Sequence, residues 1–368
     1  ESEAAGQAFS SIVKEGVGKW IIGSSGDAVN TDANVTVNAG TLGFTAGALG
    51  GVSHTGTVTL ADLSTLRWES GNTDDVSSRL RAAAPGAGIT LDFAGGATTF
   101  AGALNVGTAN VTKSGSGALT LAGANTMTSF TVEGGSVNVT NAAGLGTGVV
   151  AVNGGTLSVN AAVSNVIDVG NGGTLGGVGS VSLGTVTVDN GGAVAPGNSP
   201  GILSGTNMTL IGGATFIWEV RNRTLAAGTG YDFLSLSGNL NLSGASSSNR
   251  IILKIVSLNA SNAIDNAENF ANNVINGGYV ANFNFANVGS LNLGANANIN
   301  DVFDIDTSDF HHTNRSSSAA GLWSLSYDGS GGITLTAVPE PSTYGFGLGA
   351  LALAAAAIRR RRKNAPKA

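Results

Sequence analysis

Five glycine pairs at near-constant spacing do most to limit what this chain can fold into. They are Gly134-Gly135, Gly154-Gly155, Gly172-Gly173, Gly191-Gly192 and Gly212-Gly213, a period of roughly 20 residues. The runs before them are β-branched or apolar and include Phe130-Thr131-Val132, Val149-Val150-Ala151-Val152, Val186-Thr187-Val188 and Met208-Thr209-Leu210-Ile211. After three of the pairs a second such piece follows, at Ser136–Val139, Thr156–Val159 and Thr174-Leu175, and the same phrase occurs earlier as Val35–Leu42. A unit of two short strands and a tight turn cannot bury its own apolar side chains, so units of this period must stack. The spacing predicts the coils of a parallel β-helix, each about 4.8 Å above the last. Strand alternation sends Val and Leu inward and Thr and Asn outward, while glycine serves the positive-φ corners. A β-sandwich needs turns about every 8–12 residues and leaves the repetition of whole phrases without a cause.

Composition agrees with thin coils. Of 368 residues 57 are Gly, aromatics are 6% and charged residues 11%, while 42% are hydrophobic. A disordered chain is low in hydrophobicity and high in charge, so this one is expected to be ordered without large aromatic cores. It has no Cys, which excludes disulfides, thiolate metal sites and cysteine nucleophiles. Six of its 17 basic residues fall in the last 28 positions, which leaves 11 basic against 23 acidic in residues 1–340. A body that acidic repels phosphate backbones, and nucleic acid is not an expected partner.

The C-terminal stretch follows a different logic. Pro339-Glu340-Pro341 is followed by an uncharged segment that includes Tyr344, Gly345, Gly349, Leu351, Leu353 and Ile358, and then by Arg359, Arg360, Arg361, Arg362 and Lys363. The span from Ser342 to Ile358 sits at the short limit for a transmembrane helix, about 17 residues, and Arg side chains extend its reach by snorkelling. An all-round apolar stripe ending in a basic block has no amphipathic face to pack on a soluble domain. A single C-terminal membrane helix is therefore expected, with the basic block as cytoplasmic stop and residues 1–340 outside. Gly345 and Gly349 are spaced for helix packing in a membrane. The two prolines hold the preceding segment extended.

Proline-glutamate-proline, an apolar segment and an arginine run in this order resemble the PEP-CTERM sorting signal of Gram-negative bacteria. That resemblance implies export, recognition and cutting near Pro339-Glu340-Pro341 by an exosortase, and release or re-anchoring at the cell surface. A second resemblance covers roughly residues 12–220. Lys113–Thr126 and a weaker copy at Lys14–Gly23 are similar to the autotransporter-associated β-strand repeat. Ala195–Gly201 is similar to that family's closing turn, and Leu66–Arg81 to an insertion between copies. This resemblance implies a right-handed β-helix on an exported surface protein, and no catalysis.

The expected organisation is thus an all-β, right-handed parallel β-helix over residues 1–220, irregular at about 44–112. A C-terminal β-rich capping module follows over 221–336, ending in a hairpin around Asp328-Gly329, and then the sorting signal over 337–368. Ala260–Ile275 reads as a loop or short helix.

Catalytic patterns are sparse. Gly197-Asn198-Ser199-Pro200-Gly201 satisfies G-x-S-x-G, but that motif needs a strand-to-helix turn and a histidine partner, and strand-like sequence follows. The histidines are His54, His311 and His312. Carboxylate pairs for glycoside chemistry sit about 5 to 9.5 Å apart, which on a β-helix means equivalent positions in neighbouring coils. Glu133 is succeeded at its position by Asn153 and Asn171, and Asp168, Asp189 and Glu219 fall at other points of their coils. The Asn residues suggest a hydrogen-bonded ladder instead. Asp304, Asp306 and Asp309, with Asp301 and His311-His312, form the densest group of possible metal ligands. The plain reading is a solvated acidic loop; hard oxygens in such a group would favour Ca²⁺. No cofactor is implied. The expectation is a non-catalytic exported surface or matrix protein, associated with exopolysaccharide or biofilm by resemblance alone. The alternatives are a β-helix polysaccharide lyase or glycosidase, and a surface adhesin.

Overall fold

The computed structural model describes residues 9–23, 29–49, 54–177, 182–197, 199–269, 281–311 and 322–338. They form an all-β solenoid of about nine turns with almost no helix. The strands lie in sheets of 4, 14 and 9, and successive strands alternate between sheets as the chain winds. Stacking is parallel throughout, up to the strand Ala281–Asn292. That excludes the sandwich alternative.

The glycine-paired repeat maps onto the coils. In the long sheet Val111 stacks on Phe130, then Val150, Ile167, Val186 and Met208. One step along that column is one coil, again of roughly 20 residues. In the nine-stranded sheet Leu119, Val137, Leu157, Leu175, Val194 and Phe216 form a second inward column. All of these side chains are buried, each worth about 1.5–3 kcal/mol relative to exposure. Thr112, Thr131, Thr187 and Thr209 face outward between them. Gly155 shows why the corners need glycine: its φ is +69°, and a Cβ there would overlap the Gly135 carbonyl of the coil beneath.

The two Lys-Gly phrases share one geometry. Lys14 and Lys113 both point inward and are buried. Lys113 Nζ donates to the carbonyls of Gly115 (3.0 Å), Gly117 (2.5 Å) and Gly134 (2.6 Å). Lys14 Nζ does the same with Glu15, Gly16 and Ala39. Each lysine thus ties its own turn to the next coil. Burial pushes the Lys113 amine down to about 8, opposed by the charge of Asp92.

The described residues of 44–112 do not leave the stack. Thr65–Trp68, which overlaps the expected insertion Leu66–Arg81, pairs in parallel with Thr41–Phe44 on one side and Gly88–Phe93 on the other. Here Trp68 lies 4.4 Å from Phe93 and 5.0 Å from Phe44, centroid to centroid. Beyond residue 220 the parallel ladders also continue, with longer coils: Met208 stacks on Leu240, and Leu240 on Leu291. The long sheet then closes with two antiparallel strands, Leu322–Tyr327 and Gly332–Val338, which form the hairpin expected around Asp328-Gly329. Of Ala260–Ile275, residues 260–269 are turns and isolated bridges; the rest lies outside the described residues.

Candidate functional site

The acidic group expected to be a loop is the edge strand Phe303–Asp309 of the nine-stranded sheet. Asp309 pairs with Lys254 Nζ at 2.6 Å. Asp306 accepts the Ser308 N–H at 2.9 Å, and this bond holds its carboxyl below the usual range. Asp304 is exposed on the same strand. A strand spreads alternate side chains along a line instead of converging them on a point. Among the described residues no three His, Asp or Glu come together as a metal site.

The candidate ladder forms in part: Asn153 Nδ2 donates to Glu133 Oε1 at 3.0 Å. Asp168 stacks between Ala151 and Thr187. Ser199 donates its hydroxyl to Glu219 Oε1 at 3.1 Å, and strand follows at Ile202–Leu210, so the G-x-S-x-G match lacks the strand-to-helix turn its chemistry needs.

The structure does bring two carboxylates together, in a pairing the sequence reading missed. Asp232 is fully buried beside Glu219. Its Oδ1 accepts the Gly201 N–H at 2.7 Å and its Oδ2 the Glu219 N–H at 2.8 Å. Burial, then the Glu219 charge, push the Asp232 carboxyl well above its ordinary range against these two donors. Burial likewise raises Glu219, opposed by the Ser199 hydroxyl. With no exposed surface and both oxygens engaged by the backbone, Asp232 cannot reach a substrate. It clamps the Gly201 turn onto the strand Thr215–Val220.

Next to this clamp lies a cluster of rings beneath the last described strand, Gly332–Val338. Trp218 donates its indole N–H to the Asp232 carbonyl at 2.8 Å. Its ring lies 5.1 Å from Phe283, 6.0 Å from Tyr231 and 6.2 Å from Trp323, and Phe310 lies 5.3 Å from Trp323. Trp323 is cross-strand neighbour to Ala337, which on its other side pairs with Ala281. The last described strand, Gly332–Val338, is therefore hydrogen-bonded along both edges, and Ile333, Leu335 and Ala337 are buried.

The family described as the PEP-CTERM protein-sorting motif matches residues 337–362. Residues 337–362 are a PEP-CTERM protein-sorting motif. It begins inside the strand Gly332–Val338, just ahead of Pro339. Such a motif implies an exported protein sorted to the cell envelope and processed by an exosortase. The match is confined to the tail, and no curated protein matches the chain. The motif residues Pro339, Glu340 and Pro341 lie outside the described residues. So do the expected membrane-helix positions Tyr344, Gly345, Gly349, Leu351, Leu353 and Ile358, and the basic stop Arg359, Arg360, Arg361, Arg362 and Lys363. Among the described residues no helix is long and apolar enough to cross a membrane.

Proposed function

We propose that this chain is a non-catalytic surface or matrix protein whose solenoid is exported, held briefly at the membrane by residues 342–358, and cut near Pro339-Glu340-Pro341 by an exosortase. The sorting motif at residues 337–362 carries the reading. The marginal apolar length from Ser342 to Ile358 suits a temporary anchor more than a permanent one. The β-solenoid supports a spacer or scaffold role, because stacked coils form a stiff rod with extended faces. The non-catalytic part is supported by the enclosure of Asp232, whose carboxylate serves the backbone. Right-handed winding and association with exopolysaccharide belong to this reading by resemblance to the repeat and sorting families.

Deleting the exosortase gene and following the protein in washed cells and medium tests it. Accumulation of an uncut, membrane-associated form is the expected result. Unchanged release and an unchanged C-terminus would reject it.

A further inference from the structure

We propose that Asn300 guards the last edge of the long sheet against pairing with a second copy of this chain: its carboxamide occupies the backbone groups of Leu325 that such a pairing would use.

The strand Leu322–Tyr327 is outermost in the long sheet and, among the described residues, pairs only with Gly332–Val338. Its six residues, Leu-Trp-Ser-Leu-Ser-Tyr, carry no charge, no Pro and no Gly. An uncharged edge of that composition is a template for its own kind. Leu325 lies opposite Leu335 in the hairpin, yet its N–H and C=O both turn the other way, to one side chain. The Leu325 N–H donates to Asn300 Oδ1 at 2.8 Å, and Asn300 Nδ2 donates to the Leu325 carbonyl at 2.7 Å. Antiparallel alternation puts the backbone groups of Trp323 and Tyr327 on that same side. Two such edges meeting antiparallel would join Leu325 to its own copy and Trp323 to the Tyr327 of the second copy. Asn300 stands at the centre of that ladder.

The guard is itself held. Asn300 sits on the short 3-10 turn Ile299–Asp301, and Ile299 is buried. Asn298 Oδ1 accepts both the Asn300 N–H at 2.9 Å and Asn300 Nδ2 at 3.1 Å, while the Asn298 N–H donates to Asp301 Oδ2 at 3.0 Å. A carboxamide offers a donor and an acceptor side by side, as a peptide group does, so Asn300 takes the place of one residue of a further strand and ends the sheet there. The other distal edge strand, Phe303–Asp309, is protected differently: Asp304 and Asp306 set negative charge along it, and like charges oppose pairing. The uncharged edge has the amide instead.

The test compares parent protein recovered from native cells with two variants, by sedimentation velocity over a concentration series and by hydrogen exchange. Asn300→Ala frees the Leu325 groups. The second variant adds Ser324→Lys and Ser326→Lys, which an antiparallel pairing about Leu325 would set directly opposite one another. Asn300→Ala is expected to associate at a concentration about ten-fold or more below the parent, since two hydrogen bonds no longer have to be broken first. The Trp323 and Tyr327 amides should gain protection as it does so, and the added lysines should return it to the parent's behaviour. If the alanine variant does not fold, Asn300→Asp decides, because it keeps the acceptor and loses the donor: association above the parent supports the guard and association equal to the parent overturns it. Equal masses for the parent and a folded Asn300→Ala at every concentration would overturn the guard. So would association that leaves Trp323 and Tyr327 unprotected or that the lysines do not reverse.

Discussion

Between Val111 and Met208 the solenoid turns in short, nearly equal coils around columns of Val, Leu and Ile. Between Phe216 and Ala337 the coils lengthen, one of them taking the whole stretch from Leu240 to Leu291, and the interior fills with Trp218, Phe283, Phe310 and Trp323. The short coils hold together as a sum of similar neighbour contacts, each weak and repeated. The distal end concentrates its stability in one ring cluster, one buried carboxylate clamp and a hairpin that blocks further parallel stacking. A solenoid end presents open strand edges that invite pairing with other chains. The hairpin covers the edge of Ala281–Asn292 in the long sheet and leaves the short strand Leu322–Tyr327 outermost. Regular coils make length, and the irregular end carries the start of the sorting motif.

This contrast can be broken at either region. The largest effect is expected for Trp218→Ala, a loss of about 3–5 kcal/mol. Hydrogen exchange should show it opening residues 281–338 before the middle coils. If denaturant melting instead showed a smaller loss than for Leu157→Ala, the distal ring cluster would not be the stronger element. Leu157→Ala itself should cost about 2–5 kcal/mol, with increased exchange confined to the adjacent coils. Lys113→Met, which keeps the apolar stem and removes the donor to three carbonyls, should cost about 2 kcal/mol. The folded amine, held down to about 8, loses its proton before the unfolded one does. The parent should therefore gain stability as pH rises from about 8 towards about 10, and Lys113→Met should lose that gain in the same melts.

The clamp gives a second pH signature, of opposite sign. Because the folded Asp232 carboxyl is raised, the folded state holds its proton above the unfolded pKa of about 4. Its contribution is present below that pH and is lost as pH rises through the folded value. Asp232→Asn should flatten this part of the stability–pH curve; an unchanged curve would assign the slope to other groups. The smallest effect is expected at Gly107, which has φ +61° and open space around an added Cβ. Gly107→Ala should cost about 1 kcal/mol from backbone strain alone. At Gly148 a Cβ would collide with the Thr128 carbonyl, so Gly148→Ala should cost more than Gly107→Ala in the same melt.

The regular coils were legible because each repeats a local rule: alternation sets the face and a glycine pair sets the corner. Val137, Leu157 and Leu175 fall into one column for that reason alone. The final hairpin was legible from Asp328-Gly329, whose turn chemistry is also local. The partnership of Asp232 with Glu219 was not, because it joins strand ends in successive turns of unequal length. Its one signal was an aspartate set between Tyr231 and Phe233 at the entry to an apolar strand. The same irregularity hid the continuation of parallel stacking past residue 220, where coil length varies too much for any period to show. The acidic run 304–309 looked like a loop because its charges mask the alternation Phe303, Ile305 that places it on a strand. The sorting motif was legible from composition and order, because a membrane-directed signal is defined by local chemistry.

Mass spectrometry of the mature C-terminus, on protein recovered from native cells, tests the central claim most directly. A terminus within or next to Pro339-Glu340-Pro341, with no peptide from Tyr344–Lys363, is the predicted result. An intact chain running through Arg359–Lys363 in the surface-exposed pool would contradict it.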